Sequence, residues 1–522
     1  MKRARKLITF ILAAVMVMSM SLTAMADELS PHTIQISNAS ANYVYDAYQI
    51  FVGDYADGKL SDIEWGSGVN GNNLLEALKL AEIDDDNDEE TPKIKPFDNC
   101  QYASDVAEVL AGYAEKDNNV AKAFADIVSN HLIAVAGSSE NEEYVDEKYS
   151  IDVIGDGYYL VKNRSISGEN SSYTRYMLQV TDNVTLEHKG TYATVTKEIG
   201  TTSGDGAAVN EASIGESIDY VITGTVPENI DDYNEYYYVF TDTLSAGLTY
   251  NDSPALTVKI GENDVTRYFY VNASKDNTTK ETTLKVGMDN LLQLENLTPA
   301  IDITKDTKIV INYSATLNED AVIAEGGNDN EVVLDYSNDP NNSGTGTDEE
   351  PSTSPTEPTP EDPTGNTPTQ EVTTYVTKLT ITKVDGDNGN ALLPGATFRI
   401  TGEYIDETAT VDGGSATLTF SGLGAGTYTL TETVTPDGYN TISPIEFTIN
   451  FESNTLKFSS NNDAIVLDEV NNVFTATIAN YSGSQLPSTG GIGTTIFYIV
   501  GGVLVVFAVV LLVTKKRMKN EE

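Results

Sequence analysis

Side chains that do chemistry unaided are scarce in these 522 residues, with three His (His32, His131, His188) and a single Cys, Cys100. One thiol cannot close a disulfide within the chain, and so few soft ligands leave no basis for a His- or Cys-rich metal site. Cys100 stands beside Gln101, a pair that could form a thioester, but no neighbouring sequence element supports one. Asp84, Asp85, Asp86 and Asp88 crowd one segment without the Gly and terminal Glu of a calcium loop, which reads as a solvated acidic loop. No G-x-S-x-G nucleophile motif is present, so neither an enzyme nor a cofactor or metal site is expected. The formal net charge of -48 excludes nucleic acid as a partner, because phosphates bind basic surfaces.

The elements that would position any reactive group are easier to read. With 40% hydrophobic and 21% charged residues the chain can bury cores, and its length suggests roughly three domains. Residues 1–26 combine Lys2, Arg3, Arg5 and Lys6 with an apolar run from Leu7 to Met20 and end in Ala24-Met25-Ala26, the pattern of a secretory signal peptide. Ile496 to Val513 is an uncharged run long enough to span a membrane, and Lys515, Lys516, Arg517 and Lys519 after it keep the tail cytoplasmic. Removing both basic ends leaves the exported part more negative still, soluble and self-repelling.

Between these ends, Asn72 to Ile83 and Ser104 to Leu132 carry apolar residues at helical spacing. Tyr149 to Ile154 and Arg175 to Leu186 alternate like strands, so residues 27–189 read as a mixed α/β domain. From 190 to 341, and again from 373 to 481, short runs of Thr, Val and Tyr lie between Gly, Asn and Asp turns, the texture of two all-β sandwiches. Residues 342–372 hold Pro351, Pro355, Pro358, Pro360, Pro363 and Pro368 among polar residues and read as an extended linker. The fold class is mainly β.

Leu486-Pro487-Ser488-Thr489-Gly490, ahead of the apolar run 492–514 and the tail 515–522, resembles the LPxTG sorting signal of Gram-positive surface proteins. The resemblance implies that sortase cuts between Thr489 and Gly490 within a sorting region of 482–491.

The two sandwiches resemble the isopeptide-forming, Ig-like modules of fimbrial subunits. In the last one, LTITKVD carries Lys383, YTLTETVTPDGY carries Glu432 and TIAN carries Asn480, with PGATFRI between, similar to a collagen-adhesin B-type domain. In the middle one, TVTKEI carries Lys197, FTDTLSAGLTY carries Asp242 and LDYSNDPN carries Asn338, similar to the A-type module. The resemblance implies Lys-Asn bonds, 197 to 338 and 383 to 480, between first and last strands, formed without an enzyme and with Asp242 and Glu432 as the acids. Burial would supply the chemistry: desolvation favours a neutral, nucleophilic amine. A carboxyl kept protonated in the same surroundings can polarise the carboxamide and move protons as ammonia leaves.

Over nearly the whole chain the order of parts is similar to a sortase-assembled pilus backbone subunit. That family carries a second, exposed Lys ahead of the middle domain, and VTLEHK puts Lys189 there. Glu187 and His188 stand where the family has Tyr and Pro, yet Glu187, His188 and Gly190 are polar or small, as an exposed stretch needs. Lys162, in YLVKN, lies in an alternating run and reads as a strand residue.

The implied function is the shaft of a covalent pilus, on the cell wall and transiently membrane-anchored, supporting adhesion. The implied partners are a pilus sortase and a housekeeping sortase, identical subunits, peptidoglycan, minor pilins and a host ligand. A monomeric wall-anchored adhesin or pilus-base subunit would carry the same modules without needing Lys189, and that reading stays open here.

Overall fold

A computed structural model describes residues 31–518 except 39–42, 57–58, 84–92, 114–119, 141, 167–168, 170, 189, 325, 362, 454, 456 and 484–491. The leader, the acidic run at 84–88, Lys189 and the sorting pentapeptide therefore lie outside the described residues. The chain divides into two compact units, one running to residue 375 and the other from 376 with a short piece at 323–325.

The first unit begins with the mixed domain. Its central sheet runs Lys59–Trp65, Val44–Ala56, Gly157–Ser165, Arg175–Val180. A register shift between Gln49 and Phe51 lets one long strand serve two cores. Tyr45 and Ala47 face a three-stranded sheet of Lys148–Ile154, Pro31–Ser37 and Val184–Glu187, while Ile50 and Phe51 face the helices Gly71–Leu80, Ala103–Tyr113 and Val120–Ser129. The first helix starts where Asn70 caps it, its side chain accepting from Asn73 N at 3.3 Å. The alternating run from Arg175 is not one strand. Asp182 and Asn183 turn the chain after Val180, and Asn183 Oδ1 accepts from Thr33 N (2.8 Å), delivering Val184–Glu187 to the other sheet.

The middle domain, in the same unit, is a sandwich. One sheet is built around Lys308–Leu317, flanked by Ser217–Thr225 with Val195–Ile199 at its edge. The other is built around Tyr238–Leu244 between Asn328–Ser337 and Thr282–Met288. Inward residues alternate as a half-buried strand requires; in Asn328–Ser337 they are Asn330, Val332, Leu334 and Tyr336. Tyr173 N donates to Asn338 O (2.7 Å), and Lys122 pairs with Asp232 at 3.5 Å, joining the mixed domain to this sandwich.

Residues 342–372 are not a free linker. Thr364–Asn366 pairs with Asp335 to Ser337, and Gln370–Tyr375 pairs with Asn328 to Val332, so both belong to the second sheet. The stretch before them is a strap stitched down by side chains. Asn296 Nδ2 donates to Thr347 O (2.8 Å) and Glu349 O (3.0 Å), Glu235 accepts from Gly346 N (3.0 Å), and Asp289 accepts from Thr359 N (2.7 Å). Proline cannot donate to a ladder, but a chain with fixed φ and free carbonyls loses little entropy when a surface offers such partners. Composition reads the proline content and misses the surface.

The second unit holds the last sandwich. Thr377–Asp385 lies parallel to Val473–Asn480 in one sheet, and Gly426–Val434 is central to the other. Leu379, Ile381, Phe398, Phe420, Leu430 and Phe474 fill the space between. The helix Ile492–Met518 follows; Tyr498–Lys516 has a mean hydropathy of 2.4 and is long enough to cross a membrane.

Candidate functional site

In the middle domain Lys197 reaches inward from the edge strand of one sheet to Asp242 on the other. Its side chain is fully buried and Asp242 is 1% exposed. Lys197 Nζ lies 2.6 Å from Asp242 Oδ1 and 3.0 Å from the Tyr313 hydroxyl, which is 2.6 Å from Asp242 Oδ2. The rings of Tyr220 and Tyr313, stacked at 5.3 Å, wall the amine. Burial drives the Lys197 amine below its usual range, against the pull of Asp242, and the same burial raises the Asp242 carboxyl. Both shifts run toward the neutral forms that amide chemistry needs.

The carboxamide beside this pair is not Asn338. Asn330, 0% exposed, donates from Nδ2 to the Tyr313 hydroxyl at 2.7 Å, and its Oδ1 has no hydrogen-bond partner. Asn338 sits eight residues further along the same strand direction, roughly 27 Å at strand rise. There its amide, in the orientation that satisfies both atoms, donates to Pro363 O (3.0 Å) and accepts from Gly365 N (3.3 Å). Asn338 is a pin for the strap. The expected Lys197, Asp242, Asn338 set is thus corrected to Lys197, Asp242, Asn330, with Tyr313 among them. Lys197 and Asn330 come from opposite sheets.

The last domain brings its three residues together as expected. Lys383 and Asn480 lie on the neighbouring parallel strands, Lys383 beside Ile478 and Asp385 beside Asn480, and both are 0% exposed. Glu432 enters from the facing sheet; Asn480 Nδ2 donates to its Oε2 at 3.0 Å and to Asn440 O at 2.6 Å. Lys383 Nζ donates to Ile478 O (3.1 Å) and Val384 O (3.3 Å). A neutral amine has two N–H groups, and two acceptors leave its lone pair free. Burial lowers the Lys383 amine accordingly. Glu432 Oε1 and Asn480 Oδ1 have no hydrogen-bond partner, a costly arrangement unless the pair is used.

Of the residues flanking 189, Glu187 is exposed as expected, whereas His188 and Gly190 are half-buried. His188 packs against Tyr43 and Tyr45, and its Nδ1 lies 2.9 Å from Tyr45 Oη. Burial lowers its pKa to about 4, so the ring is neutral. A Cβ on Gly190 would come within 2.4 Å of the His188 ring and 2.3 Å of Ser172 Oγ, so a larger residue here would push those side chains aside. Lys162 lies within Gly157–Ser165, its amine 6.0 Å from the Tyr48 ring. Cys100 is buried, and burial raises its thiol.

Three stretches of the chain match models of known protein families. Residues 214–340 match a family model described as Gram-positive pilin backbone subunit 2, Cna-B-like domain; residues 377–464 match the SpaA prealbumin-like fold domain; residues 479–520 match the LPXTG cell wall anchor motif. The chain has the parts of a Gram-positive backbone pilin. The description attached to the middle domain is Cna-B-like, where the sequence resemblance names the A-type module. The trypsin-resistant surface T6 protein of Streptococcus pyogenes serotype M6 is 25% identical over 343 residues, covering 64% of this chain. The match spans 58% of that relative's length. The solved T6 backbone pilin of the same serotype superposes with a TM-score of 0.52 at 15% identity, over 88% of this chain and all of that one, which is a likeness of fold.

Proposed function

We propose that this protein is the structural shaft subunit of a covalent pilus on a Gram-positive cell wall. Sortase joins Thr489 of one copy to Lys189 of the next, and a Lys-Asn isopeptide bond braces each sandwich, Lys197 to Asn330 and Lys383 to Asn480. One observation carries the reading: each sandwich buries a Lys, a carboxylic acid and an Asn together, in a chain that ends in a wall-anchor motif. Burying a Lys amine beside a carboxamide whose oxygen has no hydrogen-bond partner costs stability, whereas their condensation removes the buried charge-bearing group. Covalent joints also suit bodies whose net charge of -48 opposes weak association. The partners follow: a pilus sortase, a housekeeping sortase that passes the polymer to peptidoglycan, and further copies of this chain.

The test is an immunoblot of the wall fraction after boiling in SDS. A ladder of covalent multimers is expected in wild type and only wall-linked monomer in Lys189→Ala. A ladder that survives Lys189→Ala and disappears in Lys162→Ala would move the joint to Lys162; no ladder in wild type would mean a monomeric surface protein.

A further inference from the structure

Tyr313 is the one member of the middle cluster with no counterpart in the last domain, where Glu432 touches the Asn nitrogen directly. Aspartate is one methylene shorter. Asp242 meets Lys197 Nζ through Oδ1 and the Tyr313 hydroxyl through Oδ2, and it is the hydroxyl that meets Asn330 Nδ2. The four groups thus form an unbroken chain from attacking nitrogen to leaving nitrogen, with steps of 2.6, 2.6 and 2.7 Å. Every member is at most 6% exposed, so water cannot readily substitute for a missing step.

We propose that Tyr313 is a catalytic residue of cross-link formation, relaying a proton from Asp242 to the departing nitrogen of Asn330. The inference rests on the proposed Lys197-Asn330 bond. Neutral Lys197 attacks Asn330 Cγ through its lone pair, and the new C–N bond forms. Asp242 accepts the surplus Nζ proton on Oδ1 and releases the proton on Oδ2 to Tyr313. Tyr313 turns its own proton to Nδ2, the Cγ–Nδ2 bond breaks, and ammonia leaves. One proton has crossed from amine to leaving group, and both Asp242 and Tyr313 end as they began. Tyr313 makes the contact to the leaving nitrogen that Glu432 makes directly in the last domain.

The reaction carries its own clock, because Lys383 and Asn480 condense in the same molecule without a tyrosine. The exported chain, residues 27–489, is made by pulsed cell-free synthesis, and the two cross-linked peptides are followed by mass spectrometry in H2O and D2O. In Tyr313→Phe the Lys197-Asn330 peptide should appear at least ~10-fold more slowly relative to the clock. Its solvent isotope effect should also change, which loss of packing alone would not cause. Unlinked Lys197→Met gives the melting temperature of a folded middle domain without the bond, which Tyr313→Phe must match before closure. If Tyr313→Phe fails to match it, Asp242→Glu with Tyr313→Phe decides: the longer acid should reach Nδ2 and recover closure, and no recovery would overturn the relay. A wild-type cross-link that Tyr313→Phe closes at the wild-type pace would also overturn the relay alone. No Lys197-Asn330 peptide in wild type would overturn the bond itself and the relay with it.

Discussion

Replacing Asn330 and Asn338 separately distinguishes a covalent site from a pin for the strap, because both are buried with the same parity on one run and only Asn330 meets Lys197 through Tyr313. Asn330→Ala should abolish one of two mass losses of ~17 Da from the exported chain, since each condensation expels ammonia. The bond closes a loop from 197 to 330, and chain entropy values such a closure at about 5 kcal/mol. For a body of this size that is a fall of roughly 10–20 °C in melting temperature. Asn338→Ala should keep both mass losses and nearly all of the melting temperature. The assays are intact mass and calorimetry on the same samples. Retention of both losses in Asn330→Ala, or loss of one in Asn338→Ala, would refute the assignment.

The strap should loosen when its side-chain stitch is cut: Asn296→Ala removes both bonds to Thr347 and Glu349, and cleavage by a nonspecific protease within 345–361 should become rapid while the sandwich stays intact. His188 should make the first unit acid-sensitive. Its folded pKa is depressed to about 4 from 6.5, so the unfolded chain takes up a proton first as pH falls. Stability is then lost between those values by up to ~3 kcal/mol. Denaturation midpoints against pH should show that slope in wild type and a shallower one in His188→Asn.

Much of this was legible in one dimension. Alternation along Tyr149 to Ile154 and helical spacing from Asn72 report local burial, and the structure has a strand and a helix there. Lys383, Glu432 and Asn480 were legible because the segments that carry them, LTITKVD, YTLTETVTPDGY and TIAN, resemble family elements in order, and the structure buries all three. Asn330 and Asn338 have the same parity on one run, so alternation cannot choose between them. Only the crossing of the two sheets at Lys197 does. Tyr313 is one of 29 tyrosines and acquires its role from partners 116 positions away in Lys197 and 71 in Asp242. The strap was missed for a similar reason, since its partners Glu235, Asp289 and Asn296 lie far upstream.

The pairing of Gln370–Tyr375 also sets how the shaft would lengthen under tension. With both bonds closed, residues 331–382 are the only stretch between the cross-linked cores that can pay out, about 170–190 Å when fully drawn. Thr374 is paired with Asn328 and Val372 with Asn330, so the chain leaves the sheet beside the point where force enters it. Pulling on the chain beyond Tyr375 therefore loads the Thr374 pair before the Gln370 end of the strand, which is also held by Val209–Glu211 on its other side. Each subunit then carries a compliant spring in series with two stiff blocks, and the slack is recovered when the strap zips back.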